Sequence, residues 1–281
     1  KISVGPPFFN SVFIPLMMPM IAAMAVGPML SWKRADLKPA LTRLWAAMGF
    51  AGLVMLATWA LVADGPFMGV IGIGLAAWLF AGTLSELAGR IRLLQVPFAE
   101  SLRRLTRSPR ATWGMTLGHL GLAITIAGMT GAGSWRTESI QTMKPGDTVS
   151  VAGYDFTFDG AEPGQGPNYS YLRGTFRIAS DGKPVVTLHP EKRVYNVSKR
   201  PTTEAGIHSM FIGDLYAVVG DKDDATGAYI TRLYFNPLVA WMWGGVLIMV
   251  CGGCLSLTDR RPRIGADGTR LADIDAHSAE A

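Results

Sequence analysis

Apolar and polar positions along this chain fall into two regimes. Five runs carry no Asp, Glu, Lys or Arg: Asn10–Trp32, Leu44–Ala63, Gly65–Ser85, Ala111–Trp135 and Leu233–Thr258. Each is about 20 residues or longer, the length an α-helix needs to cross the hydrocarbon core of a bilayer. They predict five transmembrane helices. Between the fourth and fifth runs the period changes. "DTVSVAGYDFTF" alternates Val149, Val151, then Tyr154, Phe156 and Phe158 around an Ala152-Gly153 turn. "LRGTFRIASDGKPVVTLHP" sets Phe176 and Ile178 before an Asp181-Gly182 hairpin signal, with "VVTL" after it. "GDLYAVVGD" and "GAYITRLYF" supply two more runs. Alternation broken by turn pairs predicts short strands in a compact antiparallel sheet or small barrel. "GAEPGQGPN" is expected to be a long flexible tip.

The expected fold is therefore a membrane protein: an α-helical bundle of five transmembrane helices with an antiparallel β-rich domain between helices four and five. Residues 1–110 would hold three spans, 111–135 the fourth, 136–232 the β-rich domain, 233–258 the last span and 259–281 a polar tail. Smaller features refine this. Pro15, Pro19 and Pro28 predict a kinked first span packed among others, and "SVGPPFFN" an extended segment leading into it. In "VPFAESLRRLTRSPR", Phe98, Leu102 and Leu105 share one face while Arg103, Arg104 and Arg107 lie elsewhere. That spacing predicts an interfacial amphipathic helix before the fourth span. The chain opens on Lys1 with no signal-peptide pattern, which suggests a carboxy-terminal portion or split subunit of something longer.

Composition supports a membrane reading: 49% of the 281 residues are hydrophobic and 17% charged, where soluble domains carry about a quarter charged. The basic residues set direction. Lys33, Arg34, Lys38 and Arg43 follow the first run; Arg90, Arg92, Arg103, Arg104, Arg107 and Arg110 follow the third; Arg260, Arg261, Arg263 and Arg270 follow the fifth. The link after the second run has Asp64 and no basic residue. Inner loops collect Lys and Arg, so these three regions should face the cytoplasm, with the amino end and the β-rich domain outside. Residues 136–232 carry 11 basic and 12 acidic residues, so the chain's net +5 resides in the orientation signal. A basic surface with interleaved aromatics is missing, which argues against nucleic acid.

His119, in "TLGHLGLAIT", is the polar anomaly of the fourth run. It could be an interhelical hydrogen-bond donor within reach of Thr116. It could also mark a relay or a cofactor, since ionisable groups in membranes are rare and tend to be functional. Gly114, Gly118, Gly121, Thr125 and Gly128 form a small-residue ridge beside it. Such a ridge admits a second helix or a flat macrocycle, and an imidazole next to a low groove suits a haem iron. A proton relay would need further titratable groups, which the other apolar runs lack. Cys251 and Cys254 spell "CGGC" near the end of the last run. With Leu255 following and no βαβ pattern around them, they read as small residues facing a neighbouring helix. His189 at a strand end reads as a surface residue, His208 could face a partner, and His277 in the polar tail reads as uninvolved. Trp241 and Trp243 fit an aromatic belt.

Several of these segments together resemble a known family. "WGMTLGHLGLAITIAGMTG", "EKRVY" followed by "TTEAGI" and "DLYAVVGD", "NPLVAWMWGGVLIMVCGGCLSLTDRRPR" and the opening "SVGPPFFN" occur in order from Val4 to about Arg263. They resemble the haem lyase subunit of bacterial cytochrome c maturation, the CcmF/NrfE family. The resemblance implies a multi-pass protein of the bacterial inner membrane whose β-rich domain is periplasmic. It implies a haem b within the bilayer with His119 as one axial ligand, Gly118 and Gly121 as groove neighbours, and the second ligand outside this chain. Haem is also implied as the substrate, received from a periplasmic haem chaperone and joined through thioether bonds to apocytochrome c. The implied partners are that chaperone, apocytochrome c with its thiol-handling chaperone, other cytochrome c maturation membrane subunits and the missing amino-terminal portion of the same protein. The family's Trp-rich haem-handling motif and periplasmic haem-ligating histidines are not in this sequence, so bond formation would need the rest of the subunit. Arg193, Tyr195 and Glu204 are expected to be surface or framework residues. Two alternatives stand beside this reading: a structural partner-docking module, and an electron-transfer cytochrome b without ligation chemistry.

Overall fold

The computed structural model describes residues 5, 8–29, 42, 44–62 and 65–259. Lys33, Arg34, Lys38, Arg43, Asp64, Arg260, Arg261, Arg263, Arg270 and His277 lie outside the described residues, as do Pro6 and Pro7 and all of the tail after Asp259. The residues form two units, one of helices and one built around β-strands.

In the helical unit, α1 (Ile14–Met24) is preceded by a π-turn and followed by a 3₁₀ turn over Gly27–Met29. The prolines explain these irregularities. Pro15 follows directly on the π-turn and Pro19 lies inside the helix, so each removes a backbone N–H from a continuous helical run. Next come α2 (Trp45–Leu61), α3 (Phe67–Arg90), α4 (Phe98–Arg107), α5 (Arg110–Ser134) and α6 (Val239–Leu257). Among the described residues, four segments are long and apolar enough to cross a membrane: Ser11–Met29, α3, α5 and α6. The second expected span is present as the shorter apolar helix α2, with 17 residues. At 1.5 Å per residue it is roughly 25 Å long, a little less than a ~30 Å hydrocarbon core. The helix predicted before the fourth span is α4.

Small residues bring these helices together. Trp78 Nε1–H donates to the Ala22 carbonyl at 2.9 Å, near the end of α1, where carbonyls lack intrahelical partners. Ala25, Leu79 and Ala123 form a buried nucleus joining α1, α3 and α5. A Cβ at Gly82 would lie 2.7 Å from the Ala25 Cβ.

The second unit contains ten strands: β1 (Thr137–Met143), β2 (Thr148–Val151), β3 (Tyr154–Gln165), β4 (Tyr169–Ser180), β5 (Lys183–Leu188), β6 (Glu191–Tyr195), β7 (Pro201–Glu204), β8 (Gly206–Ser209), β9 (Gly213–Lys222) and β10 (Tyr229–Pro237). One sheet has the order β1-β10-β9-β8; the other runs β2-β3-β4-β6-β7, with β5 also on β4. All pairings are antiparallel. Phe156, Phe158, Phe176, Ile178, Leu215, Val219 and Leu233 are buried between the sheets. The alternating positions read from the sequence are thus the inward-facing ones. Both predicted turns carry left-handed pairs, Ala152-Gly153 (φ 51° and 81°) and Asp181-Gly182 (φ 50° and 73°), as two-residue hairpins require.

Two expectations are corrected. "GAEPGQGPN" is mostly strand, since β3 pairs with β4 as far as Gln165↔Ser170. Proline is tolerated because β2 pairs only with Tyr154–Thr157, leaving one side of β3 open around Pro163. The last helix begins at Val239, not Leu233, because Leu233 is fully buried in the sandwich as part of β10. A charge-free run cannot separate a buried strand from the span that follows it.

Candidate functional site

His119 lies in the middle of α5 and is half-buried. Its Nδ1 is 2.9 Å from the carbonyl oxygen of Met115, one turn earlier on the same helix. A carbonyl only accepts, so Nδ1 carries the proton and donates it. The lone pair is then on Nε2, the nitrogen at the far side of the ring. Among the described residues, no hydrogen bond is made by Nε2. Thr116, the expected partner, instead donates to the Thr112 carbonyl at 3.0 Å and is itself buried. The imidazole therefore binds within its own helix and offers a free coordinating nitrogen.

The small-residue ridge is mostly filled by α6. A Cβ on Gly121 would lie 2.6 Å from the Gly245 carbonyl, and one on Gly114 equally close to that of Gly252. Gly245 in turn faces Gly121 and Thr125. Of the two possible occupants of the ridge, another helix or a flat ring, the helix takes these positions. Two residues apart on a helix, His119 and Gly121 diverge by about 160°, so they do not share a face. Gly118 differs: nothing lies within 4 Å of where its Cβ would be. The structure thus leaves open space over Gly118 and closes Gly121.

Cys251 and Cys254 are free and exposed on α6, while Gly252 between them makes the buried helix contact. The expected packing role belongs to the glycine. Among the described residues, no group of three His, Cys, Asp or Glu could hold a metal ion. His189 is exposed after β5, 3.3 Å from Thr175 Oγ1, and His208 is half-buried in β8.

On the sandwich, strand register builds an ionic and aromatic ladder. Tyr169, Tyr171 and Arg173 of β4 stand opposite Tyr195, Arg193 and Glu191 of β6, and Glu191 opposes Glu204 of β7. Glu191 is only 6% exposed. It accepts from Arg173 Nε and Arg193 Nε, each at 2.7 Å. Arg193 also reaches Glu204 at 3.8 Å and stacks over the Tyr169 ring, as Arg173 stacks over Tyr171. Burial pushes the Glu191 carboxyl up, but the two guanidinium bonds outweigh it and hold it below the usual glutamate range. The same bond raises the Arg193 guanidinium further. Arg193 and Glu204 take part in this ladder, and the Tyr195 ring packs against Tyr169. Sequence reasoning missed Glu191, Arg173 and the β4 tyrosines; "YSYLR" held a signal, with Tyr, Tyr and Arg on alternate positions. A second feature is a shallow groove of about 660 Å³ lined by Arg136, Lys192, Tyr216, Arg232 and Tyr234.

The family profile of the CcmF C-terminal beta-sandwich matches residues 134–237, the stretch that holds all ten strands. Cytochrome c-type biogenesis protein CycK of Rhizobium meliloti is 42% identical over 95% of this chain and 39% of its own length. The chain belongs to the CcmF family. Cytochrome c-type biogenesis protein CcmF of Pseudomonas aeruginosa is 38% identical over 94% of this chain and 39% of its own length. A solved CcmF-family structure, "Cytochrome c Heme Lyase CcmF", shares the fold with a TM-score of 0.70 at 23% identity, over 90% of this chain and 41% of that one. This CcmF-family chain spans about two fifths of the length of the curated relatives it matches.

Proposed function

We propose that this chain is part of a membrane subunit that handles haem in cytochrome c biogenesis, with His119 as one axial ligand of a haem b held in the bilayer. The observation that carries this is the His119 hydrogen bond to Met115, which leaves Nε2 as the coordinating nitrogen. Histidine ligands commonly donate their other ring N–H to a carbonyl, which fixes the tautomer, orients the ring and raises the basicity of the ligating nitrogen. Gly118, about 100° round α5 from His119, leaves space free of close neighbours next to the imidazole's face. A bound haem b supplies one-electron chemistry. The chain's own part is to present Nε2 at a fixed angle in a low-dielectric setting. Gly121 is not part of this proposal, and the second ligand is assigned to the portion of the relatives that this chain does not span.

We assign the β-sandwich to the periplasmic side, where it would dock the haem chaperone and apocytochrome c during delivery and thioether formation; its 660 Å³ groove is the candidate surface. Names of relatives such as "Cytochrome c-type biogenesis protein" support that role. The test is His119→Ala in a complete protein of the relatives' length. Loss of the haem b absorbance together with cytochrome c yield is the expected result. Unchanged absorbance would remove the ligand assignment. Lost absorbance with normal yield would reduce the site to electron transfer.

A further inference from the structure

A second site lies at the other polar feature of the helical unit, where α3 ends, α4 runs and α5 begins. A groove of about 410 Å³ is lined there by Arg90, Arg103, Arg104, Arg107, Glu100 and Thr112. Glu100 binds Arg103 at 2.6 Å and Arg104 at 3.0 Å, and Arg90 pairs with Glu86. Four guanidinium groups against two carboxylates leave an excess of two positive charges. Arg107 makes no ion pair among the described residues. The first turn of α5 adds no vacancy for an anion, since Ala111 N–H already donates to the Asp259 carboxylate at 3.0 Å. The arginines are what would draw a ligand in.

The surroundings of the groove identify the kind of anion. Leu94 is 96% exposed, Phe98 75% and Leu102 49%; none of them lines the groove, and Phe98 and Leu102 lie on the face of α4 away from Arg103 and Arg107. Phe98, Leu102 and Leu105 recur at helical spacing on α4, while the arginines occupy other positions. Both flanking helices, α3 and α5, are long and apolar enough to cross a membrane, and the groove sits where one ends and the other starts. A site for a free, fully hydrated anion gains nothing from exposed Leu and Phe. With its apolar face in the acyl boundary, α4 holds its arginines at the level of the headgroups, where a lipid's phosphodiester lies.

We propose that this groove binds the phosphate headgroup of an anionic phospholipid. Planar guanidinium groups suit phosphate oxygens in paired hydrogen bonds, and Arg107 supplies the least committed charge. The site is separate from His119 and does not depend on the haem assignment.

The experiment uses the complete protein in neutral detergent, with native mass spectrometry reading retained lipid during titration with phosphatidylglycerol or phosphatidylcholine. Wild type is expected to hold one phosphatidylglycerol at least about tenfold more tightly than phosphatidylcholine, and Arg103→Gln with Arg107→Gln to weaken it by roughly 10- to 30-fold. Lys199→Gln with Arg200→Gln removes the same charge from the sandwich and should leave the affinity unchanged. Equal binding of the two lipids, or equal weakening by the two double variants, would overturn the proposal. Displacement of the lipid by millimolar inorganic phosphate would assign the groove to a soluble anion instead. If the groove double variant does not fold, Arg107→Gln alone carries the test, with an expected loss of about fivefold.

Discussion

Two side chains illustrate what a single residue can and cannot disclose. His119 was visible in the sequence because an imidazole among oily residues has no bland solvent-facing role. What the sequence could not give was its hydrogen bond, which depends on the rotamer and selects Nε2 as the free nitrogen. Glu191 shows the reverse. It looks like an ordinary charge in "EKRVY", yet pairing of β4 with β6 buries it between two arginines. Because its folded-state titration is lowered, its stabilising contribution is complete above the ordinary glutamate value near about pH 4.3 and is lost as pH falls through the folded value. Calorimetry of the detergent-solubilised chain should give a level unfolding midpoint from neutral pH down to about pH 5, then a decline. Glu191→Gln is expected to lower the neutral plateau by about 1–3 kcal/mol and to flatten the acid decline. An unchanged acid profile would show that other carboxylates set it; Asp159, held down by Arg177, is one candidate.

Elements were legible where a local rule governs them. Hairpins at Ala152-Gly153 and Asp181-Gly182 follow from turn chemistry, and Gly182→Ala, at φ 73°, should cost about 1 kcal/mol in thermal unfolding. Elements set by a distant partner were not legible. β3 continues through "GAEPGQ" because β4 supplies hydrogen bonds along its length, and β10 absorbs Leu233 because the opposing sheet buries it. The α5–α6 contact sits between these cases. Its glycines were apparent as a ridge, but not which occupant they serve. Gly245→Ala puts a Cβ 2.3 Å from Thr125 Oγ1 and 2.5 Å from the Gly121 carbonyl, whereas Gly253→Ala meets nothing within 4 Å. The first is expected to cost about 1–3 kcal/mol by forcing the helices apart, and the second to be near neutral. Thermal denaturation of both variants checks this, and equal effects would show that the close approach is unimportant.

For the molecule as a whole, the charge-free runs and the switch to alternating strands were enough to separate helical bundle from β-domain. Strand order was beyond reach, since two sheets can be threaded many ways by the same ten short strands. The proposed orientation makes a direct prediction. In a background with Cys251 and Cys254 replaced by Ala, Val197→Cys, on a residue 95% exposed, should react with a membrane-impermeant maleimide on intact spheroplasts. Gln95→Cys, between α3 and α4, should react only after permeabilisation; the opposite pattern would invert the topology. The sandwich itself is held by Phe156, Phe158, Phe176 and their neighbours without a single sulfur crosslink, both cysteines being on α6. A domain proposed to stand beside apocytochrome c and its thiol-handling chaperone therefore has no bridge to lose and no thiol to be captured. Its shape is indifferent to the redox traffic around it.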